Sequence, residues 1–312
     1  MPDEGAAAAA PAAAPFRLGY RPQLDGVRAL AVLAVVGFHA SITGVQGGYL
    51  GVEPFFVLSG FLITTLLAQE WAGTGTIRLS AFYARRALRL LPALAVFLAA
   101  ALLYALLRPD AVEVQGFYRD FFATIAYVAN WSMALQDQFE THLLSHTWTL
   151  AVEEQFYLLW PPLLVLLLRL RDRRVAFAMA CAGAVGLTAW RVALYRNGAS
   201  LPRVAWALDT RVSALLLGAA IGLAAVLGWL PTSRWLARLT GAVGAAWLAY
   251  IFLSHRYGIG AISLDPGREF VEGVLVTDVA SALLLVGVLF DERGPLSRVL
   301  STTPLVECEA MI

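Results

Sequence analysis

The sequence predicts an all-α fold, a polytopic transmembrane helix bundle of about nine to ten membrane segments. Three observations carry that expectation. Of the 312 residues, 59% are hydrophobic and 14% charged, with a mean hydropathy of +0.69, which is too apolar for a water-soluble domain. Stretches of about 20 mostly apolar residues, the length a membrane crossing needs, recur along the chain. The arginines gather in short clusters between those stretches, as they do in cytoplasmic loops.

Residues 1–17 read as a disordered tail rich in Ala and Pro, without the basic start of a secretory signal. Residues 18–306 read as one membrane domain, and 307–312 as an atypical, shortened C-terminus. Within the domain, apolar spans fall near 26–44, 49–69, 88–107, 150–168, 175–195, 208–229, 239–254 and 272–290, with a weaker one near 117–135. Arg17 and Arg21, then Arg78, Arg85, Arg86 and Arg89, place both flanks of the first two spans on the cytoplasmic side. Arg169, Arg171, Arg173 and Arg174 belong there too, which holds only if 117–135 does not cross fully or if a further crossing lies between 108 and 150.

A net charge of +1 without a basic face argues against a nucleic-acid partner. Cys181 and Cys308 give neither a disulfide framework nor a metal spacing.

Polar residues inside the spans are the candidates for chemistry. Arg28 and His39 are separated by a distance that returns them to within about 20° of one helix face, roughly 16 Å apart along the axis. An imidazole deep in hydrocarbon points to function, or to a hydrogen bond between helices. Ser59-Gly60 is a small pair suited to close packing. Arg86 and Arg89, three apart with Arg85 beside them, suit either a bidentate phosphate clamp or an anchor at lipid headgroups. His146, Glu153 and Tyr157 form one polar stripe opening an apolar helix, and Glu154 reads as a solvated charge at the helix N-terminus. Asp209 and Arg211, two apart, do not face each other, so each is expected to pair with another segment.

Taken in order, Arg28 to His39, Phe55-Phe56-Val57-Leu58-Ser59-Gly60-Phe61, Arg86-x-x-Arg89 before Pro92, and His146-x-Trp148-x-Leu150-x-x-Glu153-x-Gln155-Phe156-Tyr157 resemble the acyltransferase 3 family of integral membrane O-acyltransferases. The resemblance covers roughly residues 18–306. It implies an enzyme of the cell inner (cytoplasmic) membrane that moves an acyl group, usually acetyl, from acetyl-CoA or another acyl-CoA to a hydroxyl of a glycan or related acceptor. No permanently bound cofactor or metal is implied; the partners are acyl-CoA, the acceptor and membrane lipid. On this resemblance His39, Arg28 and Glu153 are the catalytic positions, Arg86, Arg89 and Arg85 handle the donor, and Ser59, His146, Trp148, Gln155, Tyr157, Asp209 and Arg211 support them.

Two departures accompany it. The chain ends Glu307-Cys-Glu-Ala-Met-Ile312 where the family continues into a further helix, and Ser213 stands where an acidic residue is common. The rival reading is a transporter or flippase, or a catalytically silent membrane protein, using Arg28, His39 and Glu153 as a relay or packing network. It predicts inverted internal repeats, which the sequence does not display.

Overall fold

The computed structural model describes residues 16–111, 113–136, 142–170, 172–230, 233–253, 267 and 269–310. The tail predicted for 1–17 falls mostly outside them, as does Arg171. The first helix, α1, runs Pro22–His39, with Pro22 in its opening turn where the missing N–H is not needed. A 3-10 turn over Gln46–Gly51 leads into α2, Val52–Thr74, which stops at Gly75 in the left-handed region (φ 69°). Next come α3 (Leu79–Leu107), α4 (Val114–Ile125) and α5 (Ala129–Ala134). A 3-10 turn at Ser145–Thr147 opens α6, Trp148–Leu170. The chain continues through α7 (Arg173–Arg196), α8 (Leu201–Trp206), α9 (Leu208–Val226) and α10 (Arg234–Leu253). A π turn at Glu269–Gly273 precedes α11 (Val274–Phe290), and α12 (Pro295–Leu300) and α13 (Thr303–Ala310) follow.

Seven of the described helices are long and apolar enough to cross a membrane: those containing α2, α3, α6, α7, α9, α10 and α11. The protein is a multi-pass membrane bundle, with no strand among the described residues. Helix α1, 18 residues with Gln23, Asp25 and Arg28 in its first half, packs beside them against α2, α12 and α13.

The core is built on α2 and α9, the most extensive pairing in the bundle. Glycine makes it close: a methyl at Gly60 would overlap the Leu215 carbonyl, and one at Gly218 would overlap the Val57 carbonyl. Without a hydrophobic force between helices in lipid, such backbone proximity is what the attraction rests on. Gly60 thus has the close-packing role that its small neighbourhood predicted. Helix α3 lies at the periphery, with Leu88 and Val96 largely exposed, as lipid-facing side chains are.

Side-chain ladders fix the direction of the helices around the site. Phe56–Trp148, Ser59–Glu153 and Thr64–Trp160 step the same way along α2 and α6, so these two run parallel. Tyr83–Leu158, Arg86–Glu154 and Phe97–His146 step oppositely along α3 and α6, so those run antiparallel. Helix α3 therefore ends at the same side of the bundle where α6 begins. The segment between them has no need to cross, and the predicted span 117–135 is instead the broken pair α4–α5. The break lies at Tyr127, a non-glycine residue at φ 53°. Gln155 of α6 donates to the Tyr127 carbonyl, so the break does not leave that group unpaired. With this pair removed from the count of crossings, Arg78, Arg169, Arg173 and Arg174 share one end, here called the arginine-rich end.

Candidate active site

Two tiers of polar side chains face one another across α1, α2, α3 and α6. In the deeper tier the Ser59 hydroxyl donates to Glu153 Oε1 at 2.8 Å. Arg28 and Arg86 both lie within electrostatic reach of that carboxylate. Arg86 donates through Nε (2.8 Å) and Nη2 (2.6 Å) to Glu154 Oε1 and lies 3.3 Å over the Tyr157 ring. Tyr157 is buried and contacts Ser59, closing the group. The cations come from α1 and α3, the carboxylates from successive positions of α6.

The other tier is a pair of imidazoles. His39 and His146 lie within electrostatic reach of one another, and both are exposed. His39 stands edge-on to Phe38 and His146 edge-on to Phe97. His39 Nδ1 donates to the Val35 carbonyl at 2.9 Å; since a carbonyl only accepts, the neutral ring keeps its lone pair on Nε2. Eleven residues of helix, roughly 16 Å, separate His39 from Arg28, and the same interval separates Phe97, beside His146, from Arg86.

Several placements correct the sequence reading. His39 is not deep in a span: it is the exposed last residue of α1, which stops five residues before the predicted end, where Ser41 turns the chain at φ 55°. Glu154 is not a solvated N-terminal charge. It lies beyond the first turns of α6, out of reach of the helix-end dipole, and in an apolar bundle it takes the nearest guanidinium. That contact separates the predicted clamp: Arg86 is drawn against α6, while Arg85 and Arg89 stay exposed on the flank of α3. By helix rise Arg86 stands roughly 12 Å along α3 from Arg78 at the arginine-rich end, and Glu154 roughly 24 Å along α6 from Leu170.

Asp209 and Arg211 each pair outside their own helix. Asp209 takes two bonds from Arg203 (2.7 and 2.6 Å) and one from Trp190 Nε1 (2.8 Å). Arg211 donates to Glu53 Oε1 at 2.5 Å and to the Ala205 carbonyl, between the rings of Trp148 (5.1 Å) and Phe270 (5.8 Å). Trp148 thus serves as a face for a buried cation. Gln155 donates to the Tyr127 carbonyl (2.7 Å) and to Asn130 Oδ1 (2.8 Å), tying the α4–α5 break to α6.

Residues that sequence reasoning gave no role are Tyr127, Glu53, Arg191 and Asp278. Glu53, Arg191 and Asp278 are buried with Arg211 in one charged group across α2, α7, α9 and α11. A charge inside an apolar span was the available signal for all three. For Tyr127 there was none. Its side chain borders a cavity of about 260 Å³ whose polar end is formed by Arg86, Glu154 and Tyr127 itself. Burial, with Glu154 adding to it against Arg86, raises the Tyr127 phenol above its usual range, so it stays a neutral donor.

A family model described as an acyltransferase domain, of the acyltransferase 3 type, matches residues 21–291. The peptidoglycan O-acetyltransferase OatA of Listeria monocytogenes is 35% identical over 211 residues, 65% of this chain and 33% of that protein. The O-acetyltransferase OatA of Staphylococcus aureus is 38% identical over 205 residues, 64% of this chain and 34% of that protein. The chain spans about a third of the length of the curated relatives it matches. No solved structure matches. Since the family model covers residues 21–291, most of the chain's length, the chain belongs to the acyltransferase 3 family.

Proposed function

We propose that this chain is the membrane part of an O-acyltransferase that moves an acetyl group from acyl-CoA to a hydroxyl of a cell-surface glycan or lipid-linked glycan. The observation that carries the reading is two tiers on the same helices: an exposed imidazole at the end of α1, and cations held beside carboxylates deeper in the bundle. The glycan acceptor follows the Listeria relative, whose name gives peptidoglycan as its acceptor. The arginine-rich end faces the cytosol by the distribution of Arg, so the donor approaches from there and the acceptor from the His39 side of the cytoplasmic membrane.

His39 Nε2 takes the proton of the acceptor hydroxyl as its oxygen bonds to the acyl carbon. The C–S bond breaks, and the leaving thiolate recovers a proton from the imidazolium. Arg28 and Arg86, each balanced by Glu153 and Glu154, hold the donor arm in the deeper tier. Because the tiers lie roughly 16 Å apart along α1, the arm must extend past Arg86 toward His39. Arg85 and Arg89, exposed on α3, are the phosphate contacts in this reading.

The α4–α5 break favours one second reading, a relay without covalent chemistry, since interrupted helices line transport paths. Membranes with and without the chain, incubated with acetyl-CoA labelled in the acetyl group, separate the two. Label in the glycan fraction only when the chain is present supports transfer; equal label in both contradicts it.

A further inference from the structure

One charged group of the bundle takes no part in the tiers around His39 and Arg86. Glu53 of α2, Arg191 of α7, Arg211 of α9 and Asp278 of α11 are almost wholly buried, and they are unevenly paired. Arg211 donates to Glu53 Oε1 at 2.5 Å. The Asp278 side chain lies in hydrogen-bond contact with that of Glu53. Yet Glu53 Oε2 and Asp278 Oδ1 have no donor among the described residues. Two carboxylates can only accept, so a hydrogen bond between them requires that one carry a proton.

Arg191 makes the opposite demand. Its Nη1 donates to the Thr210 carbonyl at 2.9 Å, while Nε and Nη2, two parallel donors of the guanidinium fork, have no acceptor among the described residues. Such a fork fits one carboxylate bidentately. Of the acids within its electrostatic reach, Glu53 is taken by Arg211, and Asp278 is left. With a proton on the carboxyl pair the guanidiniums outnumber the negative charges. Without it the charges balance, as burial favours.

We propose that Glu53 and Asp278 form a reversible proton-binding site. With the proton bound, Asp278 bridges α11 to α2; when it leaves, the Asp278 carboxylate turns into the Arg191 fork and bridges α11 to α7. Glu53 and Arg211 stand in the opening turns of α2 and α9, and Asp278 in the second turn of α11. The proton therefore exchanges with water at the end of the bundle opposite the arginine-rich one. The charges that reach Asp278 are those of Glu53, Arg191 and Arg211. Arg21 of α1 and Arg238 of α10 engage the far end of α11, at Leu289 and Asp291, roughly 16 Å or more away. Arg28 of α1 reaches Glu153, and Glu272 on the π turn is exposed. The site does not depend on the acyl transfer proposed above.

The test is infrared spectroscopy of the full chain purified in detergent, reading the carbonyl stretch of a protonated carboxylic acid. At pH 7, where ordinary carboxyls are ionised, the native chain is expected to keep an acid band that Asp278→Asn lacks. Raising the pH removes the band while tryptophan fluorescence shows the fold retained. Arg191→Gln, which takes away the fork and its charge, moves that loss upward by about one pH unit or more. Asp278→Asn keeps the shape and donates to Glu53 as the bound proton does, so it is expected to melt near the native temperature, and Asp278→Ala well below it. Identical acid bands in the native chain and Asp278→Asn, or equal losses of stability in the Asn and Ala variants, overturn the proton site. A band that never disappears, or disappears at the same pH with and without Arg191, overturns Arg191 as the second partner.

Discussion

Arg86 and Glu154 form a two-bonded ion pair at 2.6–2.8 Å inside the bundle, with the guanidinium lying over Tyr157. Residues 68 apart in sequence thereby lock α3, otherwise the most loosely packed helix of the site, onto α6. The pair is partly buried, so removing one member strands the other where water solvates it poorly. Glu154→Ala or Arg86→Leu alone is expected to cost about 2–3 kcal/mol, and the double variant less than the two summed. Thermal unfolding in detergent, arranged as a double-mutant cycle, measures the coupling; strictly additive losses would count against the pairing.

A more deeply buried pair joins α2 to α9. Glu53 and Arg211 are almost wholly inaccessible, so Glu53→Ala leaves an unpaired buried cation. The expected loss of stability is about 3–5 kcal/mol, seen as loss of the folded, monodisperse species in detergent. Glu53→Gln, which keeps a carbonyl acceptor for Arg211, should recover part of it. An unaltered melting temperature in Glu53→Ala would contradict the burial of this pair.

The α4–α5 break depends on Gln155. Replacing it with Ala leaves the Tyr127 carbonyl and Asn130 without their α6 partner, at a cost of about 1–3 kcal/mol. The loss should be local: faster amide exchange over residues 126–131, with the α2–α9 core protected as before. Exchange that rises equally in both regions would mean that the break is not held by this contact.

The long helices were legible because their apolar runs approach the length of a membrane crossing, and the order of polar motifs was legible because it resembles a family. What was not legible has physical causes. The end of α1 was placed five residues late because Ala40 to Gly44 carry no charge to mark a boundary, while the turn at Ser41 is set by a backbone angle. Helix α3 starts nine residues before its predicted span because charged helix formers such as Arg85 and Arg86 extend a helix that hydropathy alone cuts short. The break at Tyr127 has neither Gly nor Pro to announce it. At the site, the positions of Glu153 and Arg86 could be read from the motifs. That Glu154 would take Arg86 could not, since that depends on how α3 and α6 come together.

The central claim is that the His39 imidazole is the base that takes the acceptor's proton. Its most direct test is acetyl transfer from labelled acetyl-CoA to glycan in membranes carrying equal amounts of the native chain or His39→Ala, with folding checked by thermal unfolding. The account predicts a fall of at least about 10²-fold in rate, the scale of general-base catalysis, with stability retained because His39 is exposed at a helix end. Transfer at the native rate by a folded His39→Ala chain would contradict it.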